Sequence, residues 1–174
     1  MRPRNQTILA IDPGTRELGY AVIAGQRLVA SDAVRLRLLP KDRRLKEARR
    51  LVRTLAATHA PGAIVVEKTY PHPVPWLDEL HDVTVAARKI AKERGIRFAT
   101  YSPQAVRQTV AGNGKAKKPE VAVAVAHRFP ALRVFLEQDR RWKERLWRNR
   151  SDAIALGLHH QSVTKPPSRS RQSG

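Results

Sequence analysis

An α/β domain is what the chain predicts, and three observations carry that prediction. Extended and helical segments follow one another in the order βββαβαβ. Two of the extended segments are short apolar runs, Ile8-Leu9-Ala10-Ile11 and Ala63-Ile64-Val65-Val66; the second, continuous and β-branched, has the character of a strand buried on both faces in the middle of a sheet. Each run ends on a single acid, Asp12 in the first and Glu67 in the second.

Taken in order, Thr7–Asp12, Leu18–Ala24 and Arg27–Leu38 read as extended, with Gly25-Gln26 as a short hairpin connection between the last two, so the chain begins with an antiparallel meander. A helix starts at Pro40-Lys41-Asp42. Leu45, Ala48, Leu51, Val52 and Leu55 share one face of it, while Arg43, Arg44, Lys46, Arg49, Arg50 and Arg53 form a solvated face opposite. Pro61-Gly62 breaks into the strand Ala63–Val66. A loop with Pro71, Pro73 and Pro75 leads to a helix around Asp82–Arg94, closed by Gly95, and then a strand over Ile96–Tyr101. In Pro119–Phe129, Val121, Val123 and Val125 alternate with alanines at the period of a strand, but the alanines and the Pro-Glu first turn favour a helix. A basic stretch with Trp142 and Trp147 precedes a final helix near Ser151–His160. Residues 1–162 read as one domain, and the Pro/Ser/Arg-rich residues 163–174 as a disordered basic tail.

Charge bounds the partner. Lys and Arg number 34 against 15 Asp and Glu, a formal net of +19, and such a field favours a polyanion because neutralised phosphates release counterions. Nucleic acid is the expected partner; no basic helix carries the bulky apolar face of a membrane binder. The chain has no cysteine, which excludes disulfides, thiolate zinc sites and a thiol nucleophile. No apolar run is long enough to span a bilayer, and the N-terminal residues lack a signal-peptide core, so a cytoplasmic protein without membrane attachment is expected.

An Asp before Pro13-Gly14 often serves as a turn residue that bonds to the backbone ahead. If the first strand lies beside Ala63–Val66, however, Asp12 and Glu67 reach a common space, and two adjacent carboxylates repel unless a cation sits between them. Asp152, near the start of the last helix, is either a helix-dipole residue or a third member of that group. Together the three offer the oxygen ligands of Mg²⁺ or Mn²⁺, enough for two ions about 3.5–4 Å apart that clamp both oxygens of a phosphodiester displacement.

The segments "ILAIDPGTRELGYAVI", "IVVEKTY", "YSPQAVRQTVAGNGKAKKPEV" and "SDAIALGLHH" occur in the order, and nearly the spacing, of the RuvC family of bacterial Holliday junction resolvases, within the ribonuclease H-like superfamily. The chain resembles that family over most of residues 7–160. The resemblance implies a five-stranded mixed sheet flanked by helices, a homodimer, a branch-migration motor complex as a further partner, and Mg²⁺- or Mn²⁺-dependent paired cutting of a four-way DNA junction in recombination and repair. It assigns the catalytic, metal-holding acids to Asp12, Glu67 and Asp152; one ion would activate the attacking water and the other stabilise the leaving 3′ oxygen.

A fourth metal-site position, three residues before the last acid, carries Asp or His in that family and here is Asn149, which can offer a carbonyl oxygen but no charge; Asn also suits a helix N-cap. Tyr70 falls where the family has an aromatic that stacks on bases. Gly112 and Gly114 with Lys115, Lys117 and Lys118 resemble the family's glycine loop and basic helix start, Arg107 sits at an often basic position, and Lys118 corresponds to the lysine beside the site. The pair His159-His160 reads as a surface helix end. Two alternatives stand beside the resolvase: a RuvX (YqgF)-like nuclease acting on ribosomal RNA precursor, and a catalytically silent binder of branched DNA. An actin-like ATPase is excluded by length, since it needs two such domains.

Overall fold

The computed structural model describes residues 6–14, 17–69, 75–137 and 141–164. Five strands, β1 (Thr7–Asp12), β2 (Leu18–Ala24), β3 (Arg27–Val34), β4 (Ala63–Glu67) and β5 (Arg97–Tyr101), form one mixed sheet in the order β3-β2-β1-β4-β5. The first three pair antiparallel, as the meander requires, and β1 runs parallel to β4, which runs parallel to β5. The apolar runs of β1 and β4 are thus neighbours at the sheet centre, with Ile8 to Ile11 and Ala63 to Val66 almost wholly buried.

Helices cover both faces. On one side lie α1 (Lys41–His59) and α2 (Pro75–Glu93); on the other lie α3 (Pro103–Ala111), α4 (Lys118–Arg128) and α5 (Arg141–Thr164). Period-two alternation sorts the strand residues between two cores. Leu9, Ile11, Leu18, Val22, Ile64 and Val66 pack with α1 and α2, while Ile8, Ala10, Ala21, Ile23, Ala63 and Val65 pack with the other three helices. Val121, Ala122, Val125 and Ala126 are buried in α4, so the alternating Val/Ala segment is a helix whose inward stripe has helical spacing.

Several boundaries differ from the sequence reading. Strand β3 stops at Val34, and Leu36–Leu38 forms a 3-10 turn that buries Leu36. Helix α2 starts at Pro75, seven residues before Asp82, because proline is suited to a first helical turn. The unpredicted α3 is capped by Ser102, whose Oγ accepts the Ala105 N–H at 3.3 Å, with Pro103 at its first position. Helix α5 takes in the basic Trp-containing stretch at its start and runs through Val163 and Thr164, the first two residues of the expected tail; 165–174 lie outside the described residues. Among the described residues no helix is long and apolar enough to cross a membrane.

His159 and His160 are buried, at 6% and 5% exposure, which corrects their reading as a surface helix end. His159 Nδ1 lies 2.7 Å from Thr109 Oγ1 and His160 Nδ1 2.7 Å from the Tyr101 hydroxyl, so α5 is fastened to α3 and β5 by polar contacts inside the core. Burial lowers both pKa values, with Arg97 and His159 adding to the effect on His160. Neutral imidazoles in hydrogen bonds are what a buried site requires.

Candidate nuclease site

The register of the central strands builds the site. Ile11 pairs with Val66 across the parallel β1–β4 ladder, so the next residues, Asp12 and Glu67, emerge side by side at the carboxyl ends of two adjacent strands. Alternation sends both toward the α5 face, two residues beyond Ala10 and Val65. Asp152 comes down on them from α5. It sits eleven residues inside that helix, well past its first turn, which removes the helix-dipole reading.

Close approach of α5 to the sheet depends on two glycines. A Cβ at Gly19 would collide with the backbone carbonyl oxygen of Asn149 and stand 3.4 Å from the Asp12 Cβ; one at Gly157 would stand 2.8 Å from Ile23 Cδ1. Ala10, Ala21 and Ala63 keep the sheet surface beneath the helix low. Asn149 and Asp152, one turn apart, therefore lie over the end of β1. Asn149 is inside the helix and is not its N-cap.

The electrostatics are those of gathered acids. Burial raises the Asp12 pKa well above its ordinary value, and the charges of Glu67 and Asp152 raise it further, against a lowering by Lys118. Glu67 is raised by burial and by Asp152, with Lys118 and Arg107 opposing. Lys118 Nζ pairs with Asp152 Oδ2 at 2.6 Å. Burial acts to lower the Lys118 pKa, but Asp152, Asp12 and Glu67 outweigh it and the net shift is upward. Three acids thus share one partly dehydrated space with the Lys118 ammonium reaching into it.

Among the described residues no three His, Cys, Asp or Glu side chains are already drawn into a metal-holding group. The chemistry of the donor set nevertheless fits a hard cation: every donor is oxygen, and Asp12 and Glu67 are held above their ordinary pKa by burial and by the neighbouring acids, a cost that a divalent ion reverses.

Of the other residues singled out by the sequence, Arg107 on α3 acts on Glu67, and Lys117 leads α4, its N–H donating to Glu120 Oε2 at 2.7 Å. Lys115 is exposed in the turn before it, where Asn113 Oδ1 accepts its N–H at 2.9 Å. Tyr70 lies outside the described residues. Sequence reasoning missed Glu17, which is 4% exposed, accepts from Asn149 Nδ2 at 2.9 Å and lies 3.5 Å from Arg37 Nε. An acid in a short loop between two strands carries no local sign that it is buried.

This sheet order, with acids on the two central strand ends and on the last helix, is that of a ribonuclease H-like nuclease domain. A model of the family described as crossover junction endodeoxyribonuclease RuvC matches residues 8–160. A protein of that name from Alkalilimnicola ehrlichii is 32% identical over 96% of this chain and 98% of its own; one from Pseudomonas aeruginosa is 32% identical over 88% of this chain and 84% of its own. The chain is also similar to the structure described as T. thermophilus RuvC in complex with Holliday junction substrate, with a TM-score of 0.71 and 26% identity over 90% of this chain and 93% of that one. The chain belongs to the RuvC family of crossover junction endodeoxyribonucleases.

Proposed function

We propose that this chain is a divalent-metal-dependent endonuclease that cuts four-way DNA junctions by paired nicks as a homodimer, in recombination and repair. The observation that carries the reading is the convergence of Asp12, Glu67 and Asp152 from two adjacent strand ends and α5. Asp12, Glu67 and Asp152 would hold the metal through carboxylate oxygens and Asn149 through its amide oxygen. When bound, two such ions lower the pKa of water and offset charge on a leaving oxygen.

The chain's own residues supply binding and placement. Lys118, whose upward-shifted pKa keeps it charged, holds Asp152 in place and can exchange that contact for a phosphate oxygen. Arg107, Lys115 and Lys117 add positive charge along α3, the glycine-containing turn and the start of α4, a surface suited to a backbone that carries one charge per nucleotide. Tyr70, the candidate for stacking on an unpaired base, belongs to the same reading. Two nicks of opposite polarity need two sites related by a dyad, which a C2 dimer supplies; a branch-migration motor is the further partner that junction processing suggests.

The deciding experiment is cleavage of a synthetic four-way junction, with duplex DNA and a structured RNA in parallel, each in Mg²⁺, Mn²⁺ and chelator. Paired symmetric nicks confined to the junction and to the metal-containing samples are expected. Preferential cleavage of the RNA would replace this reading with an RNA-processing nuclease, and tight junction binding without cleavage in either metal would replace it with a silent binder.

A further inference from the structure

Asn149 stands where an acid or histidine would supply the site's fourth ligand, and its side chain is not left to choose its own orientation. A carboxylate only accepts hydrogen bonds. The 2.9 Å contact between Asn149 and Glu17 Oε2 must therefore be made by the amide nitrogen, and the carbonyl oxygen is the end that remains for a cation. Glu17 is itself fixed. Its side chain is 4% exposed, its other oxygen lies 3.5 Å from Arg37 Nε, and it follows the β1 turn directly into Leu18 of β2. The Asn149 backbone is held as well, its carbonyl oxygen lying so close to Gly19 that a Cβ there would collide with it.

We infer that Glu17 is a positioning residue for Asn149: it engages the amide nitrogen, leaves the amide oxygen as the atom available to a divalent cation, and makes position 149 one that accepts an amide and disfavours an acid. The inference rests on the carboxylate-cluster reading above. An acid at 149 would set a second acidic side chain at hydrogen-bond distance from the Glu17 carboxylate in place of a donor, in a space that already holds Asp12, Glu67 and Asp152. Residues 17 and 149 are 132 apart in sequence but form one functional pair, in which the chemistry of one dictates that of the other.

The pair can be exchanged. In the double variant Glu17→Gln with Asn149→Asp, the amide moves to position 17, its NH₂ donates to the new carboxylate, and the hydrogen bond is kept while the site gains a charge. Mn²⁺ binding, followed by the loss of the free-ion electron paramagnetic resonance signal, and thermal melting in chelator are measured for wild type, both single variants, the double variant, Glu17→Ala and Asp12→Asn.

Glu17→Ala is expected to weaken Mn²⁺ binding about tenfold, the low end for loss of a group that orients a ligand, whereas Glu17→Gln, whose carbonyl still accepts from the amide, stays close to wild type. Asn149→Asp alone should melt lower than wild type in chelator. Adding Glu17→Gln to it should restore the melting temperature and bind Mn²⁺ more tightly than wild type. The inference is overturned if Asn149→Asp alone melts like wild type and its effects add to those of Glu17→Gln without coupling. It is equally overturned if Glu17→Ala lowers melting but leaves Mn²⁺ affinity unchanged, the mark of a purely structural residue. Failure of the underlying reading looks different: wild type and Asp12→Asn would then bind Mn²⁺ alike, and the melting cycle in chelator would still decide whether residues 17 and 149 are coupled.

Discussion

Beneath α5 the sheet presents Ala10, Ala21 and Ala63 between the larger Ile8, Ile23 and Val65, whereas beneath α1 and α2 the buried residues of β1, β2 and β4 are Leu9, Ile11, Leu18, Val22, Ile64 and Val66, with no alanine among them. The bulky face is a conventional core, in which interdigitated side chains keep helix and sheet apart. The face with alanines gives up side-chain bulk and gains proximity. Helix α5 settles against the strands at Gly19 and Gly157, and groups carried on its backbone are held against groups at the strand ends. One face of the sheet maintains the fold, and the other maintains distances.

This contrast can be broken at several points. The largest effect is expected from Asp12→Asn on the α5 face: junction cleavage should fall on the order of a thousandfold, while gel-shift affinity for the junction is retained, since removing an anion does not weaken attraction to phosphate. Loss of binding in step with cleavage would show that Asp12 holds the fold of the site and not its chemistry. Next, Leu9→Ala on the opposite face should cost about 2–5 kcal/mol in urea unfolding yet leave cleavage per folded molecule unchanged. Gly157→Ala should cost less, about 1–3 kcal/mol, because its Cβ meets Ile23. Its cleavage rate should nevertheless drop further than that of Leu9→Ala, since lifting α5 separates Asp152 from Asp12.

The smallest effect is in the pH dependence of melting in chelator, and it carries opposite signs at the acid cluster and at the histidine pair. Asp12, ordinarily near 3.8, and Glu67, ordinarily near 4.5, are raised in the folded protein by burial and by neighbouring acids. Their contribution is full below those ordinary values and is lost as pH rises through the raised ones. His159 and His160, ordinarily near 6.5, are lowered by burial. Their contribution is present above pH 6.5 and is lost as pH falls through the lowered values. Asp12→Asn should flatten the acid limb and His160→Gln the neutral one, each by a few degrees at roughly 2–4 °C per kcal/mol.

Much of this was legible in the chain. The β1 and β4 runs and their terminal acids are marked by local composition, and once the two strands are neighbours the meeting of Asp12 and Glu67 follows from register. Helix α5 was legible only in its alanine-rich second half, because the Arg- and Trp-rich half from Arg141 to Arg150 has no clean apolar period. The histidine pair was misread for a related reason. It lies next to a polar tail in sequence, and the groups that bury it, Tyr101 and Thr109, are 59 and 50 residues away. Glu17 escaped notice on the same ground, since its partners Asn149 and Arg37 come from α5 and from the turn after β3.

The pairing of Ile11 with Val66 has a consequence for how such a site can change over time. Insertions anywhere between Ala24 and Ala63 leave the separation of the two strand acids untouched, because it is set by neighbouring backbones and not by the length of chain between them. A single-residue deletion inside β4 has the opposite outcome, since it turns the terminal acid toward the α1 and α2 core and brings an aliphatic side chain under α5. Backbone slippage can therefore only keep this centre or destroy it, and gradual adjustment is confined to exchanges of side chains at fixed positions, such as the amide at position 149.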